Sequence, residues 1–157
     1  MASPAAFPLV SNLNGLLNGQ AKGIGIIGTA NVLSFDDVVA PIQIVLSSAP
    51  ASGGVVEFFA LLSEDQTTWT DGISPTANAD QSALVRMARK IGYFNVDTGL
   101  ATTYVFDEFS FYSFLGFTPM FWSILVFNKS GVSFAGSGHI AQHSLQNPNA
   151  PAPVQYA

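Results

Sequence analysis

Residues 120–127 read Met-Phe-Trp-Ser-Ile-Leu-Val-Phe, and residues 55–62 read Val-Val-Glu-Phe-Phe-Ala-Leu-Leu. Both runs are short and rich in aromatic and β-branched residues, which favours buried strands. Turn signals bound them, with Asn-Lys-Ser-Gly at 128–131 and Ala-Pro-Ala-Ser-Gly-Gly at 49–54. Other strand-like stretches follow at regular spacing. The sequence therefore predicts a mainly β fold, an antiparallel β-sandwich or jelly roll.

One segment departs from this pattern. Residues 78–90 are rich in alanine, leucine and methionine, which are strong helix formers, so we predict one short helix there. Arg86, Arg89 and Lys90 hold three of the five cations of the chain and would share one face of that helix. Two interpretations of this face stay open: a solvated surface, or a basic spot that docks on an acidic neighbour.

The composition excludes several classes of protein. Of the 157 residues, 48% are hydrophobic and only 10% are charged, against roughly 25% charged in an ordinary soluble domain. These values exclude a disordered chain, because disorder over the whole chain requires low hydrophobicity and high net charge. The net charge of −5 argues against a nucleic-acid partner, because neutralising phosphates requires clustered cations. The absence of cysteine excludes disulfides and thiolate metal sites.

The charges are unevenly distributed, and this suggests a division of the chain. Eleven of the fifteen charged residues lie between positions 57 and 108. Residues 1–22 are loop-like but apolar, which predicts an arm that packs on its own domain or on a neighbour. We expect a β domain at 23–143 and an extended, proline-containing tail at 144–157. The candidate interface residues of the arm are Phe7, Leu9, Val10, Leu13, Leu16 and Leu17.

The motifs that could carry chemistry lack their structural context. Residues 23–28 match G-x-G-x-x-G, but neither a buried strand before them nor an amphipathic helix after them is visible, so we expect no dinucleotide cofactor. His139 and His143, four apart on a strand, would lie about 13 Å apart and are expected to be exposed and to share no ion. The acidic residues Glu64, Asp65 and Asp71 are typical of turns. We therefore predict no cofactor, no metal and no enzymatic activity.

Three aromatic residues have different expected roles. Trp122 lies in the most apolar run and is predicted to be core. Trp69 lies in a polar, turn-rich stretch, where it could stack on a sugar, anchor an interface or fold back onto the domain. Tyr93 is a second candidate for stacking on a sugar.

Residues 109–128 can also be interpreted as a membrane span. Residues 109–128 carry no charge over a length that could cross a bilayer. Gly116 and Pro119 interrupt the middle of this stretch, and its second half has the pattern of a strand. We therefore expect no span.

Several segments of the central region match a family pattern. They are residues 59–65 (FALLSED), 69–75 (WTDGISP), 84–92 (LVRMARKIG), 102–106 (TTYVF), 119–122 (PMFW) and 126–131 (VFNKSG). The region they span, about residues 56–140, resembles small β-sandwich structural proteins of tailed-bacteriophage virions, some of them capsid decoration proteins. None of the segments is a catalytic motif.

The resemblance implies a virion structural protein, a capsid decoration or cementing subunit that acts by protein–protein assembly. Its partners would be the major capsid protein or other virion proteins, and we expect a homo-oligomer, for instance a trimer. The chain would be made in the host cytoplasm and reside on the capsid surface. The alternative from another class is a carbohydrate-binding or fiber-type adhesion module of a virion or cell surface.

Overall fold

A computed structural model describes residues 5–6, 11–25, 27–29, 37–39, 42–97, 99, 102–106, 115–117 and 120–146. Within these ranges it describes only the backbone at 5–6, 29, 37–39 and 141–146. The candidate residues Phe7, Leu9 and Val10, and the tail from residue 147 onward, lie outside the described residues.

The described chain is built mainly from strands. There are ten: β1 (Ala5–Ala6), β2 (Ala21–Gly23), β3 (Gly28–Thr29), β4 (Asp37–Val39), β5 (Ile42–Val45), β6 (Gly54–Ser63), β7 (Arg89–Val96), β8 (Thr103–Phe106), β9 (Phe121–Lys129) and β10 (Ile140–Gln146). Three 3₁₀ helices connect them: η1 (Ser11–Leu13), η2 (Thr70–Gly72) and η3 (Ser82–Leu84). The prediction of a mainly β, antiparallel fold is confirmed. The finer class, a sandwich or jelly roll, stays a prediction.

The strands form two antiparallel sheets. Sheet I has the order β1-β10-β5-β8, and β4 continues the line of β5 along β10. Sheet II has the order β2-β9-β6-β7, and β3 continues the line of β2 along β9. Each sheet thus has four lines of strand, two from the first half of the chain and two from the second.

The strand pairs are arranged as in one long hairpin that has been folded over. The partners in four of the pairings lie equally far from residue 74, to within two residues: Ala5 with His143, Ala21 with Phe127, Ile42 with Phe106, and Gly54 with Val96. Folding the hairpin adds the lateral pairs β10–β5 and β9–β6. The turn of the hairpin is residues 64–88, which we call the apical segment.

The end of the domain that carries this segment is the apical end. Here β6 ends at Ser63, opposite Phe121, where β9 begins, and Thr29 at the end of β3 is also opposite Phe121. In sheet I, Gln146 at the end of β10 lies opposite Asp37 at the start of β4. The strand ends joined by the connections β3–β4, β6–β7 and β8–β9 therefore all lie at the apical end.

The two sheets share one hydrophobic core. Phe58 of β6 stacks on Phe106 of β8 with ring centroids 4.3 Å apart, and Phe94 of β7 stacks on Tyr104 of β8 at 5.1 Å. The fully buried residues around them come from both sheets and include Ile42, Ile44, Val56, Trp122, Ile124 and Val126. Trp122 is 1% exposed, as expected for a core residue.

A second apolar cluster lies on the other face of sheet II. Phe59, Leu61 and Leu125 point to this face, and Trp69 and Ile73 of the apical segment cover them. Strands β6 and β9 are therefore buried on both faces, which explains why their sequences are continuous apolar runs instead of alternating patterns.

The predicted helix at 78–90 is wrong. Residues 82–84 form a single 3₁₀ turn, and β7 begins at Arg89. Arg86, Arg89 and Lys90 consequently share no helix face. Helical propensity is a weak preference, and here tertiary contacts overcome it, since Val85 and Ala88 pack against the second apolar cluster.

The described part of the predicted arm belongs to the domain. Leu13 and Leu16 are 0% and 1% exposed and lie in the core between the sheets. Asn128, itself fully buried, donates a hydrogen bond to the carbonyl of Leu16 at 3.0 Å. The predicted boundary after residue 22 falls inside β2. As placed here, Leu13 and Leu16 offer no surface to a neighbour, whereas Leu17 is 56% exposed.

His139 is buried, contrary to the exposed position expected for it. It is 1% exposed; its Nδ1 accepts the Val45 N–H at 3.2 Å, and its Nε2 lies 2.9 Å from the Ala135 carbonyl oxygen. This arrangement fits the neutral ring with its hydrogen on Nε2. Burial lowers the pKa of His139, and the hydrogen bond to Ala135 only partly opposes that effect.

Residues 121–128, the second half of the uncharged stretch, lie in β9. In the part of the chain that the structure describes, none of the helices has the length and apolar character needed to cross a bilayer.

Candidate functional site

The apical segment is held together by the carboxylate of Asp71. This carboxylate accepts three consecutive backbone N–H groups, those of Arg86, Met87 and Ala88, at 2.7–2.8 Å. Burial raises the pKa of Asp71, but the three amide hydrogen bonds outweigh it and leave the pKa below its ordinary value. Asp71 thus fixes the position of the chain that leads into β7.

Two further acidic residues organise the same segment. Asp65 accepts the backbone N–H groups of Thr68 and Thr67. These two hydrogen bonds are the main reason that the pKa of Asp65 is lowered. Asp80 accepts the N–H of Ala21 and that of Ser82. Burial raises the pKa of Asp80, but these bonds outweigh it and the pKa is lowered. Asp65 therefore serves local hydrogen bonding, as the turn pattern predicted, whereas Asp71 binds amides fifteen to seventeen positions further along the chain.

Gln81 ties the segment to sheet II. Its side chain, 6% exposed, accepts the Ser74 N–H and donates to the Ser74 carbonyl, both at 2.7 Å. Its backbone N–H donates to the carbonyl of Ala21 in β2. The segment is therefore fixed by side chains that bind backbone, as well as by its own small core.

An apolar depression opens at the apical end, beside this segment. It has a volume of about 340 Å³, and its apolar lining comes from Ala60 and Leu62 of β6, from Met87, and from Leu115 of the β8–β9 connection. Its polar lining residues are Thr70, Asp71 and Arg89. We call it the apical depression.

Exposed apolar side chains gather at the same end. Seven large hydrophobic residues among those described are exposed, and four of them belong to apical connections: Leu84, Met87, Phe117 and Met120. Met87, at 83%, is the most exposed of the seven. Leu17 lies towards the opposite end, in the connection between η1 and β2, where Gly19 bonds to Asn128 near the end of β9.

The three predicted basic residues are separated by the fold. Arg86 and Arg89 are exposed near the apical depression, and Arg86 lies close enough to Asp71 to lower the pKa of that carboxyl. Lys90 instead pairs with Glu57 on the outer face of sheet II, at 2.9 Å. The three cations therefore form no single basic spot, because Lys90 lies with Glu57 on the outer face of sheet II.

Glu57 is the charged residue at the centre of β6, and two lysines hold it. Lys90 and Lys129 lie 2.9 and 3.1 Å from its carboxylate oxygens. Burial raises the pKa of Glu57, but the two lysine ammonium groups outweigh it, so the pKa stays below its ordinary value. Each ammonium also lies over an aromatic ring of the sheet, Lys90 over Phe59 and Lys129 over Phe127.

Trp69 has folded back onto the domain. It is 7% exposed, it packs in the second apolar cluster, and its indole N–H donates to the carbonyl of Gln66 at 3.1 Å. Of its three expected roles, folding back onto the domain is therefore the one that the structure shows, and most of the side chain is covered. Tyr93, the second candidate, is 57% exposed on β7.

The chemistry for a metal site is not assembled within the described ranges, where no three histidine or acidic side chains cluster. The residues that sequence reasoning missed are Met87 and its apolar neighbours at the apical end. Their signal was ambiguous, because a methionine among alanines and arginines also fits a helix.

Comparisons of the chain with protein-family models, with curated proteins and with solved structures found no match to any of them.

Proposed function

We propose that the chain is a structural subunit of a bacteriophage virion, a capsid decoration or cementing protein, and that it attaches to its neighbour through the apical end. The observation that carries this proposal is that four of the seven exposed large apolar side chains belong to apical connections and that one of them, Met87, lines an apolar depression. Exposed apolar groups that cluster on a folded domain are typical of protein–protein contact surfaces.

The strand order supports the same proposal. Pairing first with last, second with second-to-last, and so on towards the middle is the arrangement expected of a jelly roll, in which one long hairpin is rolled into two sheets. Viral capsid proteins use this architecture, and so do lectins. The fold alone therefore does not choose between the virion role and the adhesion alternative, and the surface must decide.

The mechanism of attachment differs from the one expected from the sequence. With Leu13 and Leu16 in the core, deleting residues 1–22 would remove buried side chains and is expected to unfold the domain. Truncation of the arm therefore cannot report on attachment. A substitution at the apical end is a better test of attachment, because Met87 is exposed and its replacement should leave the core intact.

The test compares Met87→Glu with Leu17→Glu. Both substitutions put a charge at an exposed apolar position, but Leu17 lies away from the apical end. Burying one methionine side chain at an interface contributes about 1.5–3 kcal/mol, so Met87→Glu should weaken binding to particles that lack the subunit by about tenfold or more. Occupancy is measured by cosedimentation of the purified chain with capsids of the phage that encodes it.

Leu17→Glu should bind as the unmodified chain does, and both variants should keep its thermal midpoint. If Met87→Glu decorates particles at unchanged occupancy, or if both variants lose binding equally, attachment through the apical end is wrong.

A further inference from the structure

A groove on the apical segment has a composition that the attachment surface does not share. It lies between residues 66–69 and 72–76 and has a volume of about 320 Å³. Ile27, Trp69, Ile73 and Pro75 give it apolar lining. These residues are buried or half-buried, so they form its floor.

The rim of the groove is polar and neutral. It is formed by Gln66, Thr67, Thr68, Ser74 and Thr76; the Thr68 hydroxyl donates to Asp65, and the hydroxyls of Ser74 and Thr76 lie 3.5 Å apart. Among the described residues that line the groove, none bears a charge. A charged ligand would lose hydration here without gaining a counter-charge, which disfavours phosphates, nucleotides and carboxylates.

The backbone around the groove is fixed before any ligand arrives. Asp65 holds the amides of Thr67 and Thr68, and Gln81 holds both backbone groups of Ser74. The carbonyl of Pro75 accepts the N–H of Gly25 at 2.8 Å. A site that needs no ordering on binding loses less free energy to entropy.

From this lining we infer that the groove binds a neutral saccharide, one or two residues in size. A sugar ring presents C–H groups on its faces and hydroxyls around its edge, which match an apolar floor and a rim of hydroxyl and amide groups. The volume is at the lower end of the range for small-ligand pockets. This inference is independent of attachment to particles, since Met87 and Leu115 do not line the groove.

The experiment is an NMR titration of the full-length chain, labelled with ¹⁵N. The probes are D-glucose, D-galactose, D-mannose, N-acetyl-D-glucosamine and their β-linked disaccharides, with anionic N-acetylneuraminic acid as a comparison. At least one neutral probe should give saturable shifts of amides in 66–69 and 72–76, with a millimolar or tighter dissociation constant. The anionic sugar should give none.

Two variants test the rim. Thr76→Val removes one hydroxyl with little change in shape, and Gln66→Gly removes the carboxamide at a residue whose φ of 63° glycine accepts. Each should weaken binding about three- to tenfold, the loss of one neutral hydrogen bond. Thr103→Val, at an exposed position of β8, is the matched control and should bind normally.

The inference is overturned if no neutral probe gives saturable shifts, if the shifts centre on Tyr93, or if both rim variants bind as tightly as the control. Met87→Glu should keep the sugar affinity even where it loses attachment to particles. Failure of one proposal can therefore be told apart from failure of the other.

Discussion

Asp71 provides the sharpest test of how the apical segment is built. Its carboxylate accepts three backbone N–H groups from residues 86–88, some fifteen positions further along the chain. Its own backbone has φ 57°, in the left-handed region that aspartate, asparagine and glycine tolerate. Substitutions at this one residue can therefore separate the charge, the hydrogen bonds and the backbone strain.

The expected magnitudes follow from these contacts. Removing a side chain that caps several backbone N–H groups costs about 0.5–2 kcal/mol. Asp71→Gly keeps the backbone unstrained but removes hydrogen bonds to a charged acceptor, so we expect it to lower the free energy of unfolding by about 2 kcal/mol. Asp71→Ala adds about 1 kcal/mol of left-handed strain. Asp71→Asn keeps one acceptor oxygen and the tolerance for positive φ, so it should cost less than either.

The measurement is urea unfolding, with thermal midpoints beside it. For a domain of this size, 2 kcal/mol corresponds to about 4–8 °C in Tm. Glu64→Gln is the matched control, because Glu64 is exposed in the same segment and its replacement also removes one negative charge. It should change the free energy of unfolding by less than about 0.5 kcal/mol.

The pH dependence of stability tests the same contact of Asp71 in a second way. The pKa of Asp71 is lowered from 3.8 in the folded chain, so its contribution is complete above that value and is lost as the pH falls through the folded pKa. The stability gap between the unmodified chain and Asp71→Gly should therefore narrow below about pH 4. Were Asp71→Asn as damaging as Asp71→Ala, or were all three variants as stable as Glu64→Gln, the assigned role of the carboxylate would be refuted.

Three other outcomes are expected, all measured by urea unfolding. Gly92→Ala would place a Cβ 2.5 Å from the aromatic ring of residue 106 across the sheets, and we expect a loss of about 1–3 kcal/mol; Gly136→Ala meets no atom within 4 Å and should be neutral. Because the pKa of His139 lies below 6.5 in the folded chain, stability should decline as the pH falls below about 6.5, by at most about 1.4 kcal/mol per pH unit, and His139→Gln should remove that slope. Leu16→Ala should cost about 2–5 kcal/mol as a core truncation, whereas Leu17→Ala should cost little; equal losses would contradict the placement of the arm.

The central strands could be predicted because they are buried on both faces, which gives them continuous apolar sequences. The run at 55–62 is apolar on both faces, and it forms the strand that is covered by sheet I on one face and by the apical segment on the other. Glu57, the one charge in this run, is shielded by two lysines from the neighbouring strands β7 and β9. Cross-strand partners of this kind depend on register, which local sequence does not specify.

The apical segment was not predictable, and the reason is physical. Residues 78–90 have the composition of a helix, but a helix needs its amides for its own carbonyls. Asp71 takes the amides of residues 86–88 instead. These partners are distant in sequence, so no window of local sequence contains the competition that decides the structure.

The uneven distribution of charge takes on a different meaning in the fold. Five of the eleven charges in the middle of the sequence lie in the turn of the long hairpin, and so at the apical end: Glu64, Asp65, Asp71, Asp80 and Arg86. Asp65, Asp71 and Asp80 accept hydrogen bonds from backbone amides there. Their charges therefore stabilise the segment as well as interacting with solvent. The same stretch leaves Met87 exposed. A contact surface that combines fixed carboxylates with exposed apolar groups should favour a neighbour that offers apolar side chains and cations together, and its affinity should fall as salt screens those charges.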